Sequence, residues 1–165
     1  MILSFDIDDS CDGTSVLGDN DNLLVRSLLP ADLPAVGEMT ARCSRDTIFH
    51  RFHGFIDLPT YLGGLLTGEQ TSVVACWENC CVGLASLGPG AQGPELAVLV
   101  EDAWQRRGIG GALFDALVDM ARARGHRLLH ADVLFEDAYI LRALARYGRL
   151  DVELEYGDYS VSVYL

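Results

Sequence analysis

EDAWQRRGIGGALFDAL, residues 101 to 117, sets two arginines and three glycines directly before an apolar helical pattern. From there Ile109, Ala112, Leu113, Ala116, Leu117, Met120 and Ala121 recur at helical spacing, while Asp115, Asp119 and Arg122 fall opposite. That is the stripe of a helix packed on a core by one face. Gly125 stops it. Upstream, ELAVLV (95 to 100) is a short, nearly continuous apolar run, the mark of a central strand covered on both faces. Downstream, RLLHADVLF (127 to 135) reads as another buried strand. Strand, crossover helix and strand over 95 to 135 predict a parallel pair with a right-handed connection.

Toward the N-terminus, LLVRSL (23 to 28) alternates like a strand, and Pro30-Ala31-Asp32 opens a helix carrying Leu33, Val36, Thr40 and Cys43. SRDTIFHRFHGF (44 to 55) predicts a helical turn plus loop, and TYLGGLLTG (60 to 68) a short helix ending at Gly68. SVVACW (72 to 77) and CVGLASL (81 to 87) form a hairpin around Glu78-Asn79-Cys80, followed by a glycine- and proline-rich loop, GPGAQGP (88 to 94). A further helix spans about 137 to 147, and LDVELEY and YSVSVYL, joined at Gly157-Asp158, make a second hairpin. This order predicts an α/β fold: a mixed central sheet of about six to seven strands with helices on both faces. Residues 1 to 21, rich in aspartate, read as an acidic flexible leader, and 22 to 165 as a single domain.

The formal charge of −12 over 165 residues argues against a general nucleic-acid binder, which would normally show a basic face, and disfavours anionic membrane surfaces. It suits a cationic substrate or a basic protein partner. Cys11, Cys43, Cys76, Cys80 and Cys81 are odd in number and scattered, unlike a disulfide framework. No apolar run approaches the roughly 18 residues of a membrane span, and no secretory pattern opens the chain, so a cytoplasmic location is expected.

A glycine-rich turn between a buried strand and a helix has a chemical use. The first helical N–H groups lack intrahelical partners and carry partial positive charge, and glycines let an anion approach them closely. Arg106 and Arg107 can add charge-assisted contacts. A Walker loop needs Gly-Lys-Ser/Thr, which does not occur; the dinucleotide fingerprint needs a small residue where Leu113 stands. The spacing that fits is Gln/Arg-x-x-Gly-x-Gly/Ala, from Gln105 to Gly110. The competing reading is a tight strand-to-helix connection with solvated arginines.

With this motif in its strand–helix setting and a terminal hairpin, the chain resembles the GCN5-related N-acetyltransferase superfamily over about residues 22 to 165. The resemblance implies acetyl-CoA as cosubstrate, its pyrophosphate held at Gln105, Arg106, Arg107, Gly108, Ile109, Gly110, Gly111 and Ala112. It also implies that the preceding strand splays from its neighbour, so that main-chain groups of Val98, Leu99 and Val100 meet the thioester and pantetheine arm. VRSLLPADLPAV, SRDTIFHRF, ELAVLVEDAWQRRGIG and VLFEDAYILRALARYG look like the catalytic domain of bacterial protein lysine acetyltransferases, which implies a protein lysine as acceptor.

Acetyl transfer needs a neutral amine, whereas a free lysine has a pKa of about 10.4. A positioned carboxylate can remove the proton, and Glu95, at the head of ELAVLV, is the candidate; the resemblance implies the same role, and a solvated strand-start glutamate is the alternative. Asp137 stands where many relatives place a coenzyme-contacting asparagine, and serves either there or as a helix N-cap. Leu144 occupies the position of the relatives' acid tyrosine, and neither Tyr139 nor Tyr147 fits the pattern, so no dedicated tyrosine acid is expected. Cys43, His50 and His53 lack zinc spacing, and no metal is expected. Arg51-Phe52 matches a protein acetyltransferase motif and either shapes the acceptor side or is a solvated arginine beside a core phenylalanine. Cys76, Cys80 and Cys81 read as small strand-filling residues, and His130 as a hydrogen-bonded core histidine. The resulting expectation is an N-acetyltransferase acting on a primary amine. A small-molecule amine acceptor and a non-catalytic acyl-CoA-binding module compete with it, and a homodimer through the terminal hairpin is compatible with both.

Overall fold

Side chains alternating along strands and recurring every 3.6 residues along helices sort this chain into one sheet with helices on its faces. The computed structural model describes residues 22–52, 56–66 and 70–165; the acidic leader lies outside the described residues. In chain order the elements are β1 (Leu23–Ser27), α1 (Leu33–Arg42), α2 (Arg45–Phe52), α3 (Leu58–Gly64), β2 (Thr71–Trp77), β3 (Cys80–Gly90), β4 (Gly93–Val100), α4 (Ile109–Ala123), β5 (Leu128–Val133), α5 (Ile140–Leu144), β6 (Arg149–Glu155) and β7 (Asp158–Tyr164). The seven-stranded sheet runs β1-β2-β3-β4-β5-β7-β6. Among the described residues only β4 and β5 pair in parallel; the other neighbours are antiparallel.

α4 lays Ile109, Leu113, Leu117 and Ala121 on one face of the sheet, against Val73, Ala85, Leu87, Val98 and Val100. Burying each such leucine or isoleucine is worth about 1.5–3 kcal/mol, and this stripe sets the helix's position. On the other face Val36 and Met39 of α1 pack on Val74, Leu84 and Leu99, with Tyr61 and Leu62 of α3 beside them. The strand and helix order is as expected.

Several local expectations are corrected. Residues 45–52 form a full helix because Ser44 Oγ accepts the Thr47 N–H at 3.1 Å and caps it. α3 begins earlier, capped by Asp57, and ends at Gly64, where paired glycines disfavour further turns; residues 67–69 lie outside the described ones. GPGAQGP is no loose loop. β3 and β4 run through it with Gly88 opposite Glu95 and Gly90 opposite Gly93, turning at Ala91–Gln92. A Cβ on Gly90 would stand 2.8 Å from both the Glu95 Cβ and the Gly93 carbonyl oxygen, so close approach explains that glycine.

β5 is buried on one face only: Leu129, Ala131 and Val133 face the core, and His130 and Asp132 alternate with them. The helix expected over 137 to 147 shrinks to the five residues of α5, because its N-cap position is Tyr139, which makes no side-chain cap. The second hairpin turns at Tyr156–Gly157, with φ of 52° and 101°, and Glu155 pairs with Asp158. Two successive positive φ values suit a tight turn matched to strand twist.

Candidate active site

β4 and β5 share a single registered pair, Glu95 with His130. No registered pair joins the two strands beyond it, so the main chain of β4 from Leu96 to Val100 lacks a ladder partner on β5; this gap is the candidate wedge. The side chains of Val98, Leu99 and Val100 are buried in the core, so only their backbone groups can face the wedge. The Val100 carbonyl is already engaged, accepting the Gln105 Nε2–H at 3.1 Å.

At the mouth of the wedge Gly108 takes φ 77°, a left-handed conformation that glycine adopts without strain, and Arg106 precedes it at φ 60°. Ala112 N–H donates to Gly108 O at 3.0 Å and is the first intrahelical donor of α4. This narrows the expected cradle: the Ala112 amide is committed to the helix, and Ile109, Gly110 and Gly111 precede that first bond. No heavy atom lies within 4 Å of a Cβ built on Gly108 or Gly111, so the space over them is open.

The acids of this segment are turned away. Buried Glu101 pairs with Arg42 at 2.8 Å, and Asp102 accepts from Ser44 N–H at 2.8 Å and from Thr47 Oγ1 at 2.9 Å. Arg106 and Arg107 stay exposed, with the Arg107 guanidinium 4.9 Å from the Trp104 ring centre. Gln105 Nε2 also donates to Thr47 Oγ1 at 3.2 Å, bracing the turn against α2 from behind. The turn thus offers amide hydrogens and guanidinium groups and withholds its carboxylates, which fits a diphosphate.

The Asp102 anchor has a pH signature. Burial opposes its charge, but hydrogen bonds from Ser44 and Thr47 outweigh burial and hold the carboxyl below its ordinary range. A depressed group stabilises the fold fully above its unfolded value of about 3.9, and that contribution is lost as pH falls through the folded value. Asp102→Asn is therefore expected to lower the urea midpoint at about pH 6 and to converge on wild type at about pH 2–3. Equal deficits at both pH values would contradict the assignment.

Glu95 is the third residue of β4 and half-buried; its Oε2 lies 2.8 Å from the place a Gly90 Cβ would occupy. Arg51 is no solvated residue. It is 3% exposed, donates from Nη2 to Ser86 Oγ at 3.2 Å and to Tyr61 OH at 3.5 Å, and sits 4.5 Å from the Phe52 ring centre. Burial pulls the guanidinium below its usual range, opposed by Tyr61 and by the charge of Glu95. α2 thus carries a buried cation into the field of the candidate base.

Asp137 does not cap α5. Its buried carboxylate meets His50 Nδ1 at 2.9 Å, tying α2 to the turn after β5. Leu144 is fully buried in the core, and Tyr147 packs on Phe114 while its hydroxyl donates to the Asp115 carboxylate on α4. Burial, then that carboxylate, pushes the Tyr147 hydroxyl well above its ordinary value. Cys43 donates to Met39 O at 3.4 Å, and burial pushes the Cys43 and Cys81 thiols up to about 12. Cys80 fills no strand interior: it is exposed beside the turn. His53 lies outside the described residues, and among those described no His, Cys, Asp or Glu trio is grouped to hold a metal ion. Ser44, Ser86, Asp102 and Ser162 were not singled out by the sequence; Ser44 alone left a local signal, as a capping residue three before Thr47.

Residues 38–148 match the family model described as acetyltransferase (GNAT) family. The chain belongs to that family. It is an acetyltransferase, and acetyl-CoA is its acyl donor. No curated protein sequence matches it. Among solved structures it is similar to the GNAT domain of S. lividans PAT, at 21% identity, covering 86% of this chain and 89% of that one, with a TM-score of 0.74. The ribosomal-protein-alanine N-acetyltransferase from Brucella melitensis gives 23%, 86%, 99% and 0.67 in the same order. The paia N-acetyltransferase from Thermoplasma acidophilum, in complex with coenzyme A, gives 13%, 87%, 99% and 0.62. At these identities the likeness is one of fold. Among the described residues no helix is long and apolar enough to cross a membrane.

Proposed function

We propose that this acetyltransferase passes acetyl directly from acetyl-CoA to the side-chain amine of a protein lysine, with Glu95 as the base. The observation that carries the reading is the position of Glu95 at the closed end of the wedge, on the face covered by α1, α2 and α3. Along the same face of the sheet, β5, β7 and β6 carry Asp132, Asp158, Glu153 and Glu155, by the alternation of their registered pairs. Asp151, also on that face, is paired with Arg149 at 3.4 Å. A cationic acceptor is drawn to such a surface, and the acetylated product, having lost its charge, is held less strongly.

In this reading the pyrophosphate of acetyl-CoA rests on the amides of Ile109, Gly110 and Gly111 with Arg106 and Arg107, and the pantetheine arm runs along Val98 and Leu99. Gln105 and Ala112 act from behind, by bracing and by closing the helix, and Asp137 acts through His50. The coenzyme supplies the activated acyl carbon. Glu95 removes a proton from the acceptor ammonium, directly or through a water, and the β4 main chain orients the carbonyl under attack. The departing thiolate takes its proton from solvent, since Leu144 has no proton to give and the Tyr147 hydroxyl is spent on Asp115. Tyr147→Phe is expected to leave kcat within about twofold of wild type, as its hydroxyl faces away from the reacting atoms; a tenfold loss with folding preserved would overturn this.

Arg51 favours a second reading. A buried guanidinium whose hydrogen-bond partners among the described residues are neutral hydroxyls suits an acceptor carrying its own carboxylate, such as a free amino acid. Thiol release with acetyl-CoA and a panel of lysine peptides, polyamines and amino acids separates the two, with mass spectrometry locating the acetyl group. Nε-acetylated peptide supports the first reading, and turnover of free amino acids alone the second. Tight coenzyme binding with no turnover would leave an acyl-CoA-binding module. The reading carries a cytoplasmic location, and β6, an outer strand exposing Val152 and Leu154, supports pairing with a second copy of the chain.

A further inference from the structure

We infer that His130 is a second proton acceptor of this acetyl transfer, working across the wedge from Glu95; the inference rests on the direct-transfer reading above. The stoichiometry creates the need. When R–NH3+ and acetyl-CoA become an amide, CoA-SH and H+, a C–N bond forms, the C–S bond breaks, and its electron pair leaves with sulfur. Nitrogen must shed two protons: one to free its lone pair, and one as the amide forms. One proton ends on sulfur by way of solvent and the other in solvent. A single carboxylate at the acceptor nitrogen takes one of the two.

His130 is the registered partner of Glu95, at the one place where β4 and β5 meet. Parallel partners present side chains to the same face, so both residues project to the acceptor side. Their polar ends lie over one glycine pair. Glu95 Oε2 is 2.8 Å from the place of a Gly90 Cβ, and His130 Nε2 is 3.3 Å from that of a Gly93 Cβ, with Gly90 and Gly93 directly opposite each other. Any side chain at Gly93 would lie against the imidazole, and any at Gly90 would strike the carboxylate. The two glycines leave room for both groups on the same side of the sheet.

The imidazole is held at one nitrogen and unsatisfied at the other. Its Nδ1 meets Ser162 Oγ of β7 at 3.1 Å, whereas Nε2 is buried with no hydrogen-bond partner among the described residues. Leaving a buried polar atom unmade is costly, so a site that keeps one has a partner for it at some point in its cycle. With Nδ1–H donating to Ser162, Nε2 is a bare acceptor and takes a proton from the acceptor nitrogen through a water, then returns it to solvent. The titratable groups on this face are Glu95 on β4, Asp132 two residues along β5, Asp158 on β7, Asp151, Glu153 and Glu155 on β6, and, from α2, the buried Arg51 and His50, the latter paired with Asp137.

The test uses the full chain and two readouts. The first is the tautomer of His130 in wild type, read from imidazole nitrogen shifts with and without CoA and a lysine peptide. The expected state has Nδ1 protonated, Nε2 bare, and an Nε2 shift that moves when the peptide is added to the CoA complex. A bare Nδ1 with a protonated Nε2 at the pH of turnover would overturn the inference whatever the activity. The second is the pH–rate profile of His130→Phe and His130→Gln. Both are expected to lose about 10–50-fold in kcat near neutral pH with acetyl-CoA affinity unchanged, and to recover as pH rises. Wild-type kcat in both variants, with an active parent, would sink the role of His130 alone. Wild type that binds acetyl-CoA and acetylates no amine would sink the transfer reading, and the nitrogen shifts would still decide the tautomer.

Discussion

Glu95→Gln is expected to lower kcat by about 10²–10⁴-fold near neutral pH while leaving the Kd for acetyl-CoA within about twofold of wild type. Glutamine keeps the shape that fits over Gly90 but cannot take a proton. A lysine with a pKa of about 10.4 is neutral in roughly one molecule per thousand at pH 7.4, and without a base the reaction waits on that fraction. The deficit should therefore narrow as pH approaches the pKa of the amine itself, a readout that a merely structural role for Glu95 would not produce. Steady-state kinetics across pH, with calorimetry for the coenzyme, check both halves. A raised KM with kcat intact would mean that Glu95 only binds the acceptor, and Arg51 would then become the residue that defines the acceptor side.

The parts of this molecule that could be read in its sequence are those whose cause is local. The apolar stripe from Ile109 to Ala121 and the run ELAVLV carry their own periods, and a glycine turn between them has few structural meanings, so the strand–turn–helix unit on which the proposed anion cradle rests was legible. Tertiary pairings were not. His50 meets Asp137 across 87 positions, Asp102 meets Ser44 across 58 and Arg51 meets Ser86 across 35. Nothing in the local pattern marks an aspartate as partner of a distant histidine when N-capping explains it as well. Composition misled at GPGAQGP, where glycine signals close packing under Glu95 and not freedom. It misled again at LLHADV, where apolar and polar residues alternate within a run that reads as buried. His130 sits on the polar side of that alternation, and its partner on β7 could not be named before the strand order was known.

Gly111→Glu is the change expected to separate coenzyme binding from folding most sharply. Gly111 is the third residue of α4, its backbone is helical, and a Cβ there meets no heavy atom within 4 Å. Replacing a helical glycine gains about 0.5–1 kcal/mol, and an acid in the first turn of a helix gains about 0.3–1 kcal/mol more. Stability is thus expected to rise, moving Tm up by about 2–8 °C. The same carboxylate stands over the amides that would receive a diphosphate. Two like charges about 5 Å apart at an effective dielectric of about 20 repel by roughly 3 kcal/mol, so acetyl-CoA affinity should fall by about 100-fold or more. Gly111→Ala, which adds bulk without charge, isolates the electrostatic part and should lose far less. Calorimetric titration with CoA and a thermal melt on the same three proteins give the answer. If Gly111→Glu melts higher and still binds CoA as tightly as wild type, the diphosphate does not sit at the head of α4, and Arg106 and Arg107 are solvated charges on an ordinary strand-to-helix turn.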